Sequence, residues 1–202
     1  MKFRAVAVFV FFLFALNAPA GVLARFRMNN DLGVIDVELF ELDKPVTVSN
    51  FVAYVKSGAW NDNILHRWIP NFVLQGGSYH VPHDPNLMTS WNVNPTLVTS
   101  FPTIPFERDV GRKFSNVYGT IAMARVGSDT NSASHDWFFN LKDNVSLDTQ
   151  AGGYTVFGRT LRGTNTLNRF NQPAGSTNIY QLDQNNPEFP VYSPDRANGF
   201  WV

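Results

Sequence analysis

Apolar and polar positions alternate first in GVIDVELFE, where Ile35, Val37 and Leu39 are separated by Asp36 and Glu38, the period of a strand with one face buried. The period then changes. In KPVTVSNFVAYVKSG, Val48, Phe51, Val52 and Val55 recur at helical spacing, Thr47 is placed to cap the start and Gly58 to close the end. NILHRWI and NFVLQGG read as two strands joined through Ile69-Pro70-Asn71, with the glycine pair marking a bulge or a close backbone approach. Strict alternation along the first of these predicts His66 on the opposite face from Arg67, inside the fold. Residues 78–118 show no clear period and hold Pro82, Pro85, Pro95, Pro102 and Pro105, so a long irregular excursion is expected there. Three β-rich apolar runs follow, YGTIAMAR, DWFFNL and YTVFGRTL. LRGTNTLNRF then predicts a second helix, with Leu161, Leu167 and Phe170 apolar. Beyond Asn171 the chain is loop-rich, and only EFPVY and GFWV look strand-like.

The start of the chain changes the picture of where the protein works. Lys2 and Arg4 precede the apolar run AVAVFVFFLFAL, and NAPAGVLA offers small-residue cleavage sites after Ala20 or Ala24. This is the pattern of a secretory signal peptide over 1–24, and the run is shorter than the roughly 20 residues a spanning helix needs. The mature chain, 25–202, is expected to be one domain, soluble, periplasmic or secreted, monomeric, and not inserted in the membrane after cleavage. Losing Lys2 and Arg4 leaves 14 of the 16 basic groups against 16 acidic ones, a net charge of -2, which argues against nucleic acid as a partner. There is no cysteine, so no disulfide supports the exported fold and the core must hold it alone.

The candidate chemistry is sparse. Histidine occurs only at 66, 80, 83 and 135. His80, His83 and Asp84 lie close in sequence, but Pro82 stands between the imidazoles and no distant third ligand is evident, so a solvated loop is the better reading than a metal site. Ser134, His135 and Asp136 are sequence neighbours, and three neighbours rarely converge on one reacting atom as a catalytic triad must. No metal or other cofactor is expected. What remains is one arginine, Arg67, in the apolar run ILHRWIPNFVLQGG, with no carboxylate beside it.

Taken in order, HRWIPNFVLQGG, GTIAMAR, FFNLKDNVSLD and YTVFGR resemble the cyclophilin-type peptidyl-prolyl cis-trans isomerases, most closely their exported bacterial members, over residues 25 to about 170. The resemblance implies a mainly β fold, a closed eight-stranded antiparallel β-barrel capped by two α-helices, with the active site on the outer face. It also implies proline-containing polypeptides as substrates. Arg67 then falls at the catalytic arginine position and Gln75 at the glutamine that hydrogen-bonds the substrate backbone and orients the arginine. Phe72, Phe138 and Leu147 match the proline pocket, with Val73 at its side. Ala124 and Arg125 match the edge that pairs with the substrate backbone, and Tyr154 stands where eukaryotic members often have histidine.

This sequence departs from the family pattern at Asp136, where glutamine is usual, and at Ser146, where a large residue is frequent beside the pocket. Asp136 therefore belongs with the substrate-binding positions. As an ionised acceptor it can draw Arg67 into an ion pair, hold the guanidinium in place, or face water. The family also closes its barrel with a final strand, which at FWV would be short. Two functions follow from these features. One is a prolyl isomerase assisting the folding of exported proteins, favoured by Arg67, Phe72 and Gln75. The other is a cyclophilin-like module that holds proline-containing segments with little turnover, favoured by Asp136, Ser146 and the 78–118 segment.

Overall fold

The computed structural model describes residues 21–28, 32–81, 95–181, 188–192 and 200–201. Its strands are β1 (Leu23–Arg27), β2 (Val34–Leu39), β3 (Asn63–Ile69), β4 (Val73–His80), β5 (Thr96–Leu97), β6 (Thr120–Met123), β7 (Trp137–Asn140), β8 (Val156–Arg162), β9 (Ile179–Gln181), β10 (Pro190–Tyr192) and β11 (Phe200–Trp201). The helices are α1 (Pro45–Ser57) and α2 (Thr164–Phe170). Short 3-10 turns run over Val145–Asp148 and Gln150–Gly152.

The main sheet is antiparallel and follows the order β1-β2-β8-β6-β7-β4-β3, with β5 paired to the last residues of β4. The expected closed eight-stranded barrel is not formed. Among the described residues β1 and β3 do not pair, so seven strands make an open, strongly curled half-barrel. The physical reason is a gap. A cleft of about 670 Å³, lined by Ala24, Phe26, Phe51, Ile64, Leu65 and Trp137 among others, separates the two edges. A ladder needs strands roughly 4.8 Å apart. β9, β10 and β11 form a separate three-stranded sheet.

Period-two patterning explains how this curled sheet makes two apolar layers. Ile121, Met123, Trp137, Phe139, Leu74 and Phe157 point to the concave side and join Val48, Phe51, Leu167 and Phe170 of the helices in the main core. The intervening residues Ala122, Phe138, Val73 and Val156 point outward into a second cluster. The outer layer is the one that bears the site.

Several expectations are corrected by contacts that are distant in sequence. Helix α1 starts at Pro45, so Thr47 lies within its first turn. The first-turn N–H groups of Val46 and Thr47 donate instead to the carboxylate of Glu107, at 3.1 and 2.7 Å. Gly58 does close the helix, in the left-handed conformation at φ 73°. Lys44, fully buried, donates to the carbonyls of Arg108, Val110 and Arg112 and so pins the following loop. Of the 78–118 segment, β4 continues to His80 and pairs there with β5, residues 98–118 are irregular as expected, and 82–94 lie outside the described residues. The second helix begins only at Thr164, and Leu161 belongs to β8 and is half exposed. His83 and Asp84 lie outside the described residues.

Candidate active site on the outer face

The site begins with register. Arg67 on β3 is directly opposite Gln75 on β4, Gln75 is opposite Phe138 on β7, Phe138 is opposite Ala122 on β6, and Ala122 is opposite Val156 on β8. Residues directly opposite in antiparallel strands project to the same face, so these side chains form one row across the outer surface. Two strand spacings, about 10 Å, separate the strands of Arg67 and Phe138. That leaves room for a ring-sized group between a guanidinium at one end and an apolar floor at the other.

The floor is built from Val73, Ala122, Ala124, Phe138, Leu147 and Val156, all buried, with Phe72, Phe40, Phe114 and Tyr154 partly buried around them. Phe138 meets the Tyr154 ring edge-on at 5.6 Å. Leu147 arrives from the Val145–Asp148 turn, and Asn144 holds that turn against the sheet. The Asn144 amide donates to the carbonyl of Phe72 at 2.7 Å and to Asn140 Oδ1 at 2.9 Å. Asp148 secures the far side by accepting from the backbone N–H and side-chain amide of Asn116, both at 2.8 Å, and from the Ser115 hydroxyl. Burial alone would raise the Asp148 pKa, but these hydrogen bonds outweigh it and the carboxyl titrates below its usual range.

Arg67 is half exposed and its Nε donates to Glu188 Oε2 at 2.7 Å. Its Cζ lies 5.8 Å from the centre of the Phe72 ring. His66 does not lie in the interior. The register runs from Leu65 opposite Gly76 to Arg67 opposite Gln75, a bulge that leaves His66 without an opposite number. Buried Leu65 and Trp68 therefore flank two consecutive partly exposed residues, His66 and Arg67. The His66 ring packs against Tyr79 at 5.5 Å and Phe189 at 6.5 Å. Burial lowers its pKa, opposed by the charge of Asp136 and aided by those of His135 and Arg67.

Asp136 lies one alternation from Phe138 but is not paired with Arg67. Its carboxylate accepts from the Ser78 hydroxyl at 2.7 and 2.8 Å and pairs with His135 Nδ1 at 2.8 Å. Burial pushes its pKa up, yet the hydrogen bonds from His135 and Ser78 and the nearby imidazoles leave it lowered overall. The Ala124 N–H is already spent on the carbonyl of Asp136, at 2.9 Å. The Arg125 guanidinium stacks on Tyr154 at 4.5 Å and donates to Gly153 and Gly127 carbonyls at 3.0 and 2.8 Å, so its side chain ties down the 150–153 loop. Ser146 lies on the exposed side of the turn that carries Leu147.

The predicted residues Arg67, Phe72, Val73, Gln75, Ala124, Phe138, Leu147 and Tyr154 are thus brought to one face. Sequence reasoning missed Ala122 and Val156 in the floor, Asn144 beneath the turn, and Glu188. The first two carry the period-two signal of their strands. Glu188 has none, because 121 residues separate it from Arg67. Among the described residues no group of three or more His, Asp or Glu side chains is arranged to hold a metal ion.

The family described as cyclophilin type peptidyl-prolyl cis-trans isomerase/CLD matches residues 24–191. The chain belongs to this family. Cyclophilin relatives include the peptidyl-prolyl cis-trans isomerase of Acinetobacter baylyi, 32% identical over 87% of this chain and 86% of that protein. Peptidyl-prolyl cis-trans isomerase A of Dickeya dadantii is 34% identical over 72% of this chain and 70% of its own length. Among solved structures, a cyclophilin-type isomerase of Cryptosporidium parvum, determined in the presence of the dipeptide Ala-Pro, covers 85% of this chain and 90% of that one. It has a TM-score of 0.53 and 20% sequence identity, a likeness of fold. The cyclophilin fold here is mainly β with two helices, and its relatives' names make the chain a peptidyl-prolyl cis-trans isomerase.

Proposed function

We propose that this cyclophilin isomerises X-Pro bonds during the folding of exported proteins, using the outer-face row as its active site. The observation that carries this is the alignment of Arg67, Gln75 and Phe138 on adjacent strands above one apolar floor. A planar X-Pro amide crosses between isomers over a barrier of roughly 18–20 kcal/mol, and no bond has to break. The prolyl nitrogen lone pair is free to accept a hydrogen bond only in the twisted, pyramidal state. A guanidinium donor at that nitrogen therefore favours the transition state over either planar isomer. Phe72, Val73, Phe138 and Leu147 hold the proline ring, and Gln75 contacts the substrate backbone beside Arg67. With the Ala124 N–H already bonded, the Ala124 carbonyl and the Arg125 backbone offer the substrate an edge, with Tyr154 bounding the pocket. Asp136, fixed by Ser78 and His135, places a carboxylate beside the groove rather than on Arg67. Turnover is favoured over simple holding because the row leaves the donor and the floor facing one space.

Export rests on the leader pattern of residues 1–24. The first strand starts at Leu23, where Leu23 and Ala24 pair with Glu38 and Val37, so cleavage after Ala20 leaves the strand whole while cleavage after Ala24 shortens it. The mature protein acts as a monomer in the periplasm or medium. Isomerisation of an X-Pro peptide followed by NMR exchange tests the activity. A rate no faster than the uncatalysed one, about 10–100 s per event, would refute it. Mass spectrometry of exported protein tests the leader, and an intact Met1 would remove that part.

A further inference from the structure

We propose that Glu188 is a positioning residue for the isomerase reaction, fixing the Arg67 guanidinium from a segment far along the chain. This rests on the reading of Arg67 given above. Arg67 stands on a bulge of an outer strand and is half exposed, a setting in which an arginine side chain samples many rotamers. Glu188 limits it through Nε, at 2.7 Å. The carboxylate is itself delivered by an anchored backbone. The Glu188 carbonyl accepts the Trp68 N–H at 2.6 Å, and Trp68 is buried with its indole donating to the Phe170 carbonyl at 2.7 Å. The next residue, Phe189, packs its ring against His66 and Tyr79, at 6.5 and 6.2 Å. The segment is therefore gripped on both sides of Arg67, at the Trp68 backbone and at the His66 ring.

The geometry of the pair matters as much as its presence. A guanidinium offers five N–H donors in a rigid plane. The carboxylate engages Nε, and no described residue accepts from either η nitrogen. With Phe72 near one face, the plane is fixed at an edge and a side while the η donors remain for a substrate over Gln75 and Phe138. The prolyl nitrogen accepts from a narrow set of directions. A donor displaced by about 1 Å can cost a hundredfold in rate, so the ion pair contributes by holding a place.

The test compares wild type with Glu188→Ala, Glu188→Gln, Arg67→Ala and the Arg67→Ala/Glu188→Ala double variant, measuring kcat and KM on one X-Pro peptide. Glu188→Ala is expected to lower kcat about tenfold with KM unchanged, a partial misplacement on the scale above. Glu188→Gln keeps an amide oxygen for the same N–H and is expected to recover most of the rate, which also covers failure of the alanine variant to fold. In the Arg67→Ala background, loss of Glu188 should change nothing further. Loss of activity in Arg67→Ala with undiminished or faster turnover in Glu188→Ala overturns the proposal, and faster turnover means the carboxylate competes with substrate. Equal losses in both backgrounds overturn it as well, because the effect would then bypass Arg67. Full activity in Arg67→Ala removes the catalytic reading itself.

Discussion

Replacing Arg67 with alanine separates chemistry from stability, and the structure fixes both magnitudes. Among the described residues the side chain makes one ion pair, with Glu188, in which the two partners are 36% and 45% exposed. Pairs so exposed contribute about 0–1 kcal/mol to folding, so the variant should melt within a few degrees of wild type. The catalytic effect is larger. Removing one preorganised donor from a partly dry site typically costs about 2.7–4 kcal/mol, or roughly 10²- to 10³-fold in rate. An Arg67→Ala protein should therefore lose at least about 100-fold in kcat/KM while keeping its fold. A protease-coupled assay on an X-Pro peptide gives kcat/KM, and circular dichroism with thermal melting gives the fold. Unchanged turnover would refute the role of Arg67. A loss of activity that tracks a large fall in Tm would show instead that the side chain is structural.

Lys44→Met should destabilise the protein by about 1–3 kcal/mol, measured by denaturant unfolding, because three part-buried carbonyls lose their shared donor together. Gly77→Ala should be damaging as well. Gly77 has φ +111°, and an added Cβ would lie 2.9 Å from the Asp136 Cα and against the His135 carbonyl, so soluble yield and Tm should both fall sharply. Acidification should weaken the fold through His66. Its folded pKa lies below the usual imidazole value of about 6.5, so the unfolded chain takes up a proton that the folded one resists, and stability declines as pH falls from there. His66→Gln should flatten that decline between about pH 7 and 5, above the range where carboxylates such as Asp136 titrate; an unchanged slope would refute it.

The strands and the first helix were legible because burial on one face writes a period into the sequence. Ile35, Val37 and Leu39 mark β2, and Val48 and Phe51 mark α1, whose buried face continues to Tyr54 while Val55 is exposed. The motif HRWIPNFVLQGG likewise identified the family and placed Arg67, Phe72 and Gln75 within a few residues of one another. Tertiary structure decided what depends on partners outside the local window. Regular alternation sent His66 inward, but pairing with β4 inserts a bulge that turns it outward beside Arg67. The local pattern places a cap at Thr47, whereas the free N–H groups of the first turn are met by Glu107, 60 residues away. Motif spacing leaves Asp136 free to pair with Arg67, to steady it or to face water, and the fold gives its carboxylate Ser78 and His135. Closure of the barrel was likewise beyond the pattern, since each strand's period states which face is buried and not whether its edge finds a neighbour. Glu188 shows the same limit at the site itself. A carboxylate's place in the sequence does not say which cation it will meet, because that choice is made only when distant segments pack and bring opposite charges within hydrogen-bonding reach.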